Sequence, residues 1–300
     1  HLKLLFHPIP NVQAILVIKE LYLFLKILWI FLAIDNNIVF ESIKEKRRAA
    51  ILYEDKRENF LCKHLNIKYR SLGVETYIDI QKFKRCKRNA DKAWWQGKKV
   101  YLGLDLSQSD DNTAIAMVTG DEENIYIKVF GFIPKSNIEK KTFREKLDYN
   151  KMIKHEYCFA CGDETIDYRF VEQFVLSIEK EYGVEIMQCG YDRYNALSTV
   201  QKLEEGGIEC VDIKQHSSVL HSPTKLLKEK VLNKHAYYDE NELLENNIMN
   251  ARCVEDTNKN KYVNKKKSSG KVDMVVAVIN ALYLWEQEQL YGSDFTVQVI

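Results

Sequence analysis

Proline and glycine are scarce in this sequence, and their scarcity excludes several classes of protein. Only four prolines and twelve glycines occur among 300 residues, so the composition is not that of a collagen-like, low-complexity or disordered chain. Apolar residues make up 46 % of the chain, which is enough for a sizeable core. This length predicts one large domain or two domains of ordinary size.

Long uncharged hydrophobic runs are also missing. Residues 14–34 are rich in apolar side chains, but Lys19, Glu20 and Lys26 interrupt them and leave residues 27–34 as the longest uncharged stretch. A membrane-spanning helix requires about 18 or more apolar residues. We therefore predict a buried or partner-facing helix here, or a segment orphaned by truncation, and no insertion into a membrane.

The seven cysteines are odd in number and show no framework of paired spacings. This usage favours a reducing compartment with free thiols, so we expect a cytoplasmic protein. Cys158 and Cys161 form one CxxC motif shortly after His155. A zinc site needs about four ligands, and no second CxxC or HxxxH motif follows. We interpret both cysteines as small residues of a strand or its turn.

A bias in total charge is absent too, because 44 basic and 43 acidic residues leave a net charge of +1. The charge is nevertheless uneven, since lysines cluster between residues 259 and 271. Residues 257–271, TNKNKYVNKKKSSGK, are interpreted as a lysine-rich loop. A near-neutral total therefore does not exclude a nucleic-acid partner.

The apolar pattern predicts helices first and a mixed domain afterwards. Residues 37–70 are predicted to be helical, and residues 71–98 are interpreted as a polar linker. Ser222 and Pro223 predict the N-cap and first turn of a helix that ends at Lys234. Three strands followed by alternating helices and strands favour an α/β fold, with a mixed sheet flanked by helices. The strands are predicted at 99–106, 113–119, 124–133, 184–192 and 208–214, and the other helices at 137–156, 167–182, 195–207, 240–250 and from Asp273 onward.

Three aspartates are candidate site residues, because each is the one acid in an otherwise apolar stretch. Asp105 lies in the first predicted strand, Asp192 ends the fourth, and Asp273 opens the last helix. A buried carboxylate is costly unless it is paired or binds a metal. Two-metal phosphodiester hydrolysis needs such oxygen ligands on rigid elements. Taken alone, the residues leave two interpretations open: metal ligands, or helix caps and salt-bridged acids.

Seven segments carry a resemblance to a known family when they are taken in order. They are 58–66 (ENFLCKHLN), 76–86 (TYIDIQKFKRC), 101–116 (YLGLDLSQSDDNTAIA), 162–168 (GDETIDY), 190–196 (GYDRYNA), 215–229 (QHSSVLHSPTKLLKE) and 271–282 (KVDMVVAVINAL). This ordered set, with Asn250 and the lysine-rich loop, resembles the C-terminal nuclease half of the large subunit of tailed-bacteriophage terminases. The resemblance spans residues 37–288.

The resemblance implies a ribonuclease-H-like nuclease that cuts concatemeric viral DNA in the bacterial host cytoplasm. It implies that Asp105, Asp192 and Asp273 are the catalytic, metal-binding acids for two Mg²⁺ or Mn²⁺ ions. We predict that Asp105 bridges both ions and that the other two acids hold one ion each. Asp110 and Asp111 are interpreted as turn residues, and Asp167 is predicted to cap a helix.

The lysine-rich loop precedes Asp273 by a few residues, so it should lie beside the metal site. We expect Lys265, Lys266, Lys267 and Lys271 to bind phosphates of double-stranded DNA without reading its sequence. The alternative is a solvated charged loop. In intact members of the family, the terminase small subunit and the portal protein are further expected partners.

The sequence departs from full-length terminases in its N-terminal part. A GxxxxGK[ST] phosphate-binding loop is missing, so we expect no ATP-binding residues and no ATP hydrolysis. Residues 1–97 are interpreted as a truncated remnant of the motor half plus a linker, 98–290 as the nuclease domain and 291–300 as a tail.

Two alternative functions remain open at this point. The chain could be an inert prophage remnant or a DNA-binding module of the same fold, although all three acids are present. An actin-like ATPase also begins with an aspartate-bearing strand, but it expects glycine in the next turn. Residues 106–109 are Leu-Ser-Gln-Ser and contain none.

Overall fold

The structure is a computed structural model that describes residues 37–65, 74–106, 112–193 and 196–292. It divides into two compact units, the first ending at Gly73 and the second beginning at Val74. The apolar segment before residue 37 lies outside the described residues, as do Asp110 and Asp111. Within the described ranges, no helix is both long enough and apolar enough to cross a membrane.

Two helices make up the described part of the first unit. They are α1 (Asn37–Leu52) and α2 (Glu54–Leu65), and they pack on each other. Phe60 is buried, and its ring contacts that of His64 at a centroid distance of 5.6 Å. The predicted helical character of this segment is confirmed, with a break at Tyr53.

Seven described strands of the second unit form one mixed sheet. They are β2 (Lys99–Asp105), β3 (Thr113–Gly120), β4 (Ile125–Ile133), β5 (Cys158–Ala160), β6 (Glu185–Tyr191), β7 (Cys210–Asp212) and β8 (Ala236–Tyr238). Their order is β5-β4-β3-β2-β6-β7, with β8 also pairing with β4. The strand β3 is antiparallel to both β2 and β4, whereas β6 runs parallel to β2 and β7 parallel to β6. This arrangement confirms the predicted mixed sheet.

Helices cover both faces of this sheet. One face packs against α4 (Lys92–Trp95), α7 (Tyr168–Tyr182) and α8 (Leu197–Glu205). The other face packs against five helices, namely α3 (Ile80–Lys84), α6 (Tyr149–Lys154), α9 (Ser217–Leu232), α10 (Glu242–Asn250) and α11 (Asp273–Tyr291). The remaining described helix of this unit is α5 (Ile138–Glu145).

Side-chain alternation along β2 determines which way Asp105 points. Leu102 and Leu104 pack into the core on the α7 side. Successive side chains of a strand point to opposite faces, so Gly103 and Asp105 belong to the α11 side. The direction of Asp105 therefore follows from the pleat of the strand.

The helix α11 lies unusually close to the sheet where glycines remove side chains from its path. A Cβ atom at Gly103 would be 2.0 Å from the carbonyl oxygen of Ala277 and 2.5 Å from the amide nitrogen of Ala281. Gly190 of the neighbouring strand is opposite Gly103 and contacts the same helix near Asn280. This close approach brings the start of α11 to the ends of β2 and β6.

The segment interpreted as a linker is part of the second unit. It contains β1 (Val74–Thr76), which joins β9 (Arg252–Glu255) and β10 (Lys261–Val263) in a three-stranded antiparallel sheet. Phe83 stacks on Tyr238 at 4.3 Å between ring centroids. The division between units therefore lies before Val74 rather than near Lys98, because this strand pairing and this ring contact tie the polar segment to the second unit.

The predicted start of one helix at Ser222 and Pro223 is wrong. The helix α9 begins at Ser217, and the side chain of His216 caps it by accepting a hydrogen bond from the Ser218 amide at 3.3 Å. Pro223 therefore lies inside the helix. The buried Leu220 lies N-terminal to this proline and extends the apolar face, so packing prevails over the proline signal.

Two smaller predictions are confirmed. Asp167 caps α7 by accepting a hydrogen bond from the Arg169 amide at 3.0 Å. Cys158 lies in β5 and Cys161 directly follows that strand, and both are buried. Burial raises the pKa of the Cys161 thiol to about 11, so this cysteine is a neutral core residue.

Candidate active site

Two of the predicted acids lie at the same edge of the seven-stranded sheet. Asp105 is the last residue of β2, and Asp192 directly follows the last residue of β6. These strands are parallel, with Gly103 opposite Gly190. Each aspartate follows its glycine by two residues, so both lie at the carboxyl ends of neighbouring strands. Open α/β sheets bind ligands at such an edge.

The third predicted acid reaches this edge from α11. Asp273 is the first residue of that helix and is 3 % exposed, while Asp105 is 4 % exposed. Asn280 of the same helix donates a hydrogen bond from Nδ2 to the Leu104 carbonyl oxygen at 2.9 Å. This bond joins the helix to the residue before Asp105, so helix and strand are held in one alignment.

A single ammonium group joins the two buried carboxylates. Lys265 Nζ lies 2.6 Å from Asp105 Oδ1, 2.5 Å from Asp105 Oδ2 and 3.6 Å from Asp273 Oδ1. The Lys265 side chain is 44 % exposed, so its ammonium group enters the site from the solvent side. Two buried carboxylates repel each other, and a counter-charge stabilises their ionised forms. Lys265 supplies one.

The backbone of the lysine-rich loop is held firmly around Lys265. The Asn264 amide donates to the Arg252 carbonyl oxygen at 2.9 Å, and Asn264 Oδ1 accepts from the Lys267 amide at 3.1 Å. The Ser268 hydroxyl donates to the Asn264 carbonyl oxygen at 2.8 Å. These bonds make residues 264–268 an ordered turn, which directs the Lys265 side chain toward Asp105 and Asp273.

The charges of the cluster act on each other. The pKa of Asp105 is raised to about 7, chiefly by burial; Lys265 opposes the increase, whereas Asp273 and Asp192 add to it. Burial alone would lower the pKa of Lys265, but the attraction of Asp105 and Asp273 outweighs burial and raises it. Asp192 is therefore close enough to belong to the same electrostatic cluster.

A comparison with protein families identifies the kind of domain that carries this cluster. The family model for the terminase large subunit, endonuclease domain, matches residues 33–289. The chain belongs to this terminase family.

Two comparisons with the terminase of Enterobacteria phage HK97 agree with that assignment. The sequence is 23 % identical to the HK97 terminase large subunit over 223 residues, which cover 72 % of this chain and 42 % of that protein. The crystal structure of the HK97 large terminase matches with a TM-score of 0.64 at 19 % identity, covering 80 % of this chain and 49 % of that one. This terminase chain thus spans less than half the length of its HK97 relative, and the structural likeness extends the family match to the fold.

The terminase endonuclease domain brings together two of the three predicted acids directly. Asp105 and Asp273 share Lys265, whereas Asp192 lies at the same edge and acts on Asp105 through its charge. In the part of the chain that the structure describes, no group of three or more His, Cys, Asp or Glu side chains is arranged to hold a metal ion. The cluster therefore has an ammonium group at its centre.

The four predicted DNA-binding lysines do not share one environment. Lys265 points into the acid cluster, whereas Lys266 and Lys267 are exposed. Lys271 is half-buried and lines a cleft of about 540 Å³ next to Asp273. The polar residues of this cleft are Arg144, Glu145, Asn246, Asn250, Lys265, Ser269, Lys271 and Asp273.

Sequence reasoning missed a buried polar network beside the terminase cluster. Lys141 in α5 is 2 % exposed, and its ammonium group donates to Asn112 Oδ1. Asn112 Nδ2 in turn donates to the Tyr149 hydroxyl at 3.0 Å, and that hydroxyl donates to Glu145 Oε2 at 2.6 Å. Burial lowers the pKa of Lys141, while Glu145 and Asp273 oppose this effect. In the sequence, Lys141 and Glu145 look like an ordinary surface pair four residues apart.

Two buried asparagines were missed as well. Asn247 Oδ1 accepts a hydrogen bond from the Met274 amide at 3.1 Å, which satisfies one free N–H group at the start of α11. Asn280, described above, is fully buried. The available signal was an amide side chain inside an apolar stretch, as in VVAVINAL at 275–282.

The donor set of the terminase site fits a divalent cation. Carboxylate oxygens are the ligands that Mg²⁺ and Mn²⁺ prefer. Asp273 Oδ2 is buried and makes no hydrogen bond to any described residue, so it is an acceptor open to a cation. A positive charge is already stable at this position, because the Lys265 ammonium group contacts both buried acids.

Proposed function

We propose that this chain is a metal-dependent DNA endonuclease, which cuts concatemeric viral DNA during genome packaging. The observation that supports this proposal most is the convergence of Asp105 and Asp273 on the ammonium group of Lys265, at the carboxyl edge of the sheet. These acids come from distant parts of the chain, and local caps or surface ion pairs do not require such an arrangement. The family match supports the same activity.

In this proposal Asp105, Asp192 and Asp273 hold two divalent cations, Mg²⁺ or Mn²⁺. Bound ions of this kind supply Lewis-acid activation of water and stabilise the leaving oxygen in phosphodiester hydrolysis. The chain's own contribution is rigidity: the Asn280 side chain fixes α11 against β2, and the Asn247 side chain fixes the start of the helix.

Double-stranded DNA is the proposed substrate. Lys266 and Lys267 are exposed on the ordered loop, and Lys271 and Arg144 line the cleft beside Asp273. Such side chains neutralise phosphates without reading bases. In a complete terminase, we propose the small subunit and the portal protein as further partners.

The test is plasmid cleavage by the full chain with Mn²⁺, Mg²⁺ or EDTA, beside two variants. Asp105→Asn removes one charge from the site, and Asp163→Asn is the matched control because Asp163 is an exposed surface acid. We expect metal-dependent cleavage by the parent and by Asp163→Asn, and a loss of at least about 100-fold in Asp105→Asn. Cleavage by Asp105→Asn at the parental rate would contradict the site, and no cleavage by the folded parent would favour an inert remnant.

A further inference from the structure

A DNA-contact role alone does not explain the position of Lys265, because its ammonium group faces the acid cluster and not the solvent. Nζ lies within 2.6 Å of both carboxylate oxygens of Asp105 and 3.6 Å from Asp273 Oδ1. Hydrogen bonds to and from Asn264 hold the backbone around it. The loop therefore directs this one lysine into the acid cluster, while Lys266 stays exposed.

We propose that Lys265 is a positioning residue, whose ammonium group holds Asp105 and Asp273 together until an entering divalent cation displaces it. This inference rests on the proposed function, since the displacing cation is the metal of the nuclease. Without a counter-charge, two buried carboxylates repel each other and lose solvation. The ammonium group balances their charge but occupies the oxygens that a metal would use, so an entering cation has to compete with it.

The same contacts explain why the ammonium group is replaceable. Lys265 carries one positive charge on a flexible four-carbon stem, and its side chain is 44 % exposed. A divalent cation carries twice the charge and gains more from the same acids. Only the stem has to move, because the backbone of residues 264–268 is held by its own hydrogen bonds.

The cleft next to Asp273 can receive the displaced ammonium group. Lys265 also lines the cleft next to Asp273, together with Lys271 and Arg144. A Lys265 side chain that leaves the acids therefore joins the positive side chains of this cleft, where a DNA phosphate is the natural anion. Metal binding and DNA binding are thus coupled through one side chain.

The experiment measures Mn²⁺ affinity by calorimetry on the full chain without DNA, at one fixed pH for all variants. Lys265→Met keeps the stem and removes the charge, and Lys266→Met is the matched control in the same loop. We expect Lys265→Met to bind Mn²⁺ at least about tenfold tighter, the effect that one nearby unit charge has on the ionisation of a carboxyl group. Lys266→Met should bind like the parent, and Lys265→Arg, which keeps the charge, should bind no tighter.

Melting temperatures in EDTA and in saturating Mn²⁺ give a second readout. Lys265→Met should melt lower than the parent in EDTA and gain more from Mn²⁺, because only the metal then balances the acids. If Lys265→Met destabilises the fold too far for calorimetry, Lys265→Gln serves in its place. Unchanged or weaker Mn²⁺ binding by a folded Lys265 variant would overturn the inference while leaving the nuclease intact. Equal Mn²⁺ binding by the parent and Asp105→Asn would instead overturn the proposed function, and this inference with it.

Discussion

The contact between α11 and β2 predicts a severe effect for one added methyl group, in the variant Gly103→Ala. The new Cβ would lie 2.0 Å from the Ala277 carbonyl oxygen and 2.5 Å from the Ala281 amide nitrogen. Ordinary contact begins near 3.4 Å, and both obstructing atoms belong to the helix backbone, so rotation of a side chain gives no relief. Helix and strand must separate by roughly 1 Å, and overpacking of this kind costs about 3 kcal/mol or more.

The same displacement reaches the site, because Asp105 lies two residues beyond Gly103 and Asp273 begins the displaced helix. A misplacement of about 1 Å can lower catalysis about 100-fold. We therefore expect Gly103→Ala to lose both unfolding free energy in urea and plasmid cleavage, even under conditions where the variant is folded.

The control is Gly206→Ala at the end of α8. Its nearest obstacle is the Cδ2 atom of Leu176 at 2.3 Å, the tip of a side chain that is 40 % exposed and free to rotate. The backbone at Gly206 is helical, with φ of −80°, so alanine is tolerated and the change in unfolding free energy should stay within about 0.5 kcal/mol. If Gly103→Ala proves as stable as Gly206→Ala, the close packing of α11 on β2 is refuted.

Two further predictions concern pH and salt. Burial is the chief reason that the pKa of Asp105 is raised to about 7 in the folded protein. The folded metal-free protein therefore retains a proton that the unfolded chain loses at about pH 4. Its free energy of unfolding should accordingly decrease as the pH rises from about 4 to about 7. Melting in EDTA over this range should show the decrease for the parent and a flatter profile for Asp105→Asn, and equal slopes would argue against the assignment. For DNA binding in EDTA, Lys266→Met and Lys267→Met should each weaken affinity and reduce the slope of log Kd against log salt by about one. Lys180→Met in α7, which packs on the opposite face of the sheet from α11, should leave the slope unchanged.

Much of the fold could be predicted because its signals are local. The strands β2, β3, β4 and β6 follow continuous apolar runs bounded by polar turns, and each was expected within one or two residues of its place. The Asp167 cap and the start of α11 at Asp273 are likewise determined by neighbouring residues. Side-chain alternation along β2 even determines the face on which Asp105 lies.

Other features depended on contacts between distant segments. The polar segment before β2 looked like a linker, because the partners of Phe83 and of β1 lie more than 150 residues further along the chain. Pro223 looked like a helix start, because the packing of Leu220 cannot be read from the local pattern. Lys141 looked like a surface residue, because only α5's position in the fold buries it.

For the site, the linear pattern was enough to identify the candidate acids, since one carboxylate in an apolar run has few explanations. The sequence also determined that a lysine-rich loop precedes Asp273. Tertiary structure alone decided that Lys265, and not Lys266 or Lys267, enters the acid cluster. The direction of each lysine depends on the turn that Asn264 holds and on the two carboxylates that β2 and α11 bring beside it. Long-range packing sets those distances, and no local pattern encodes them.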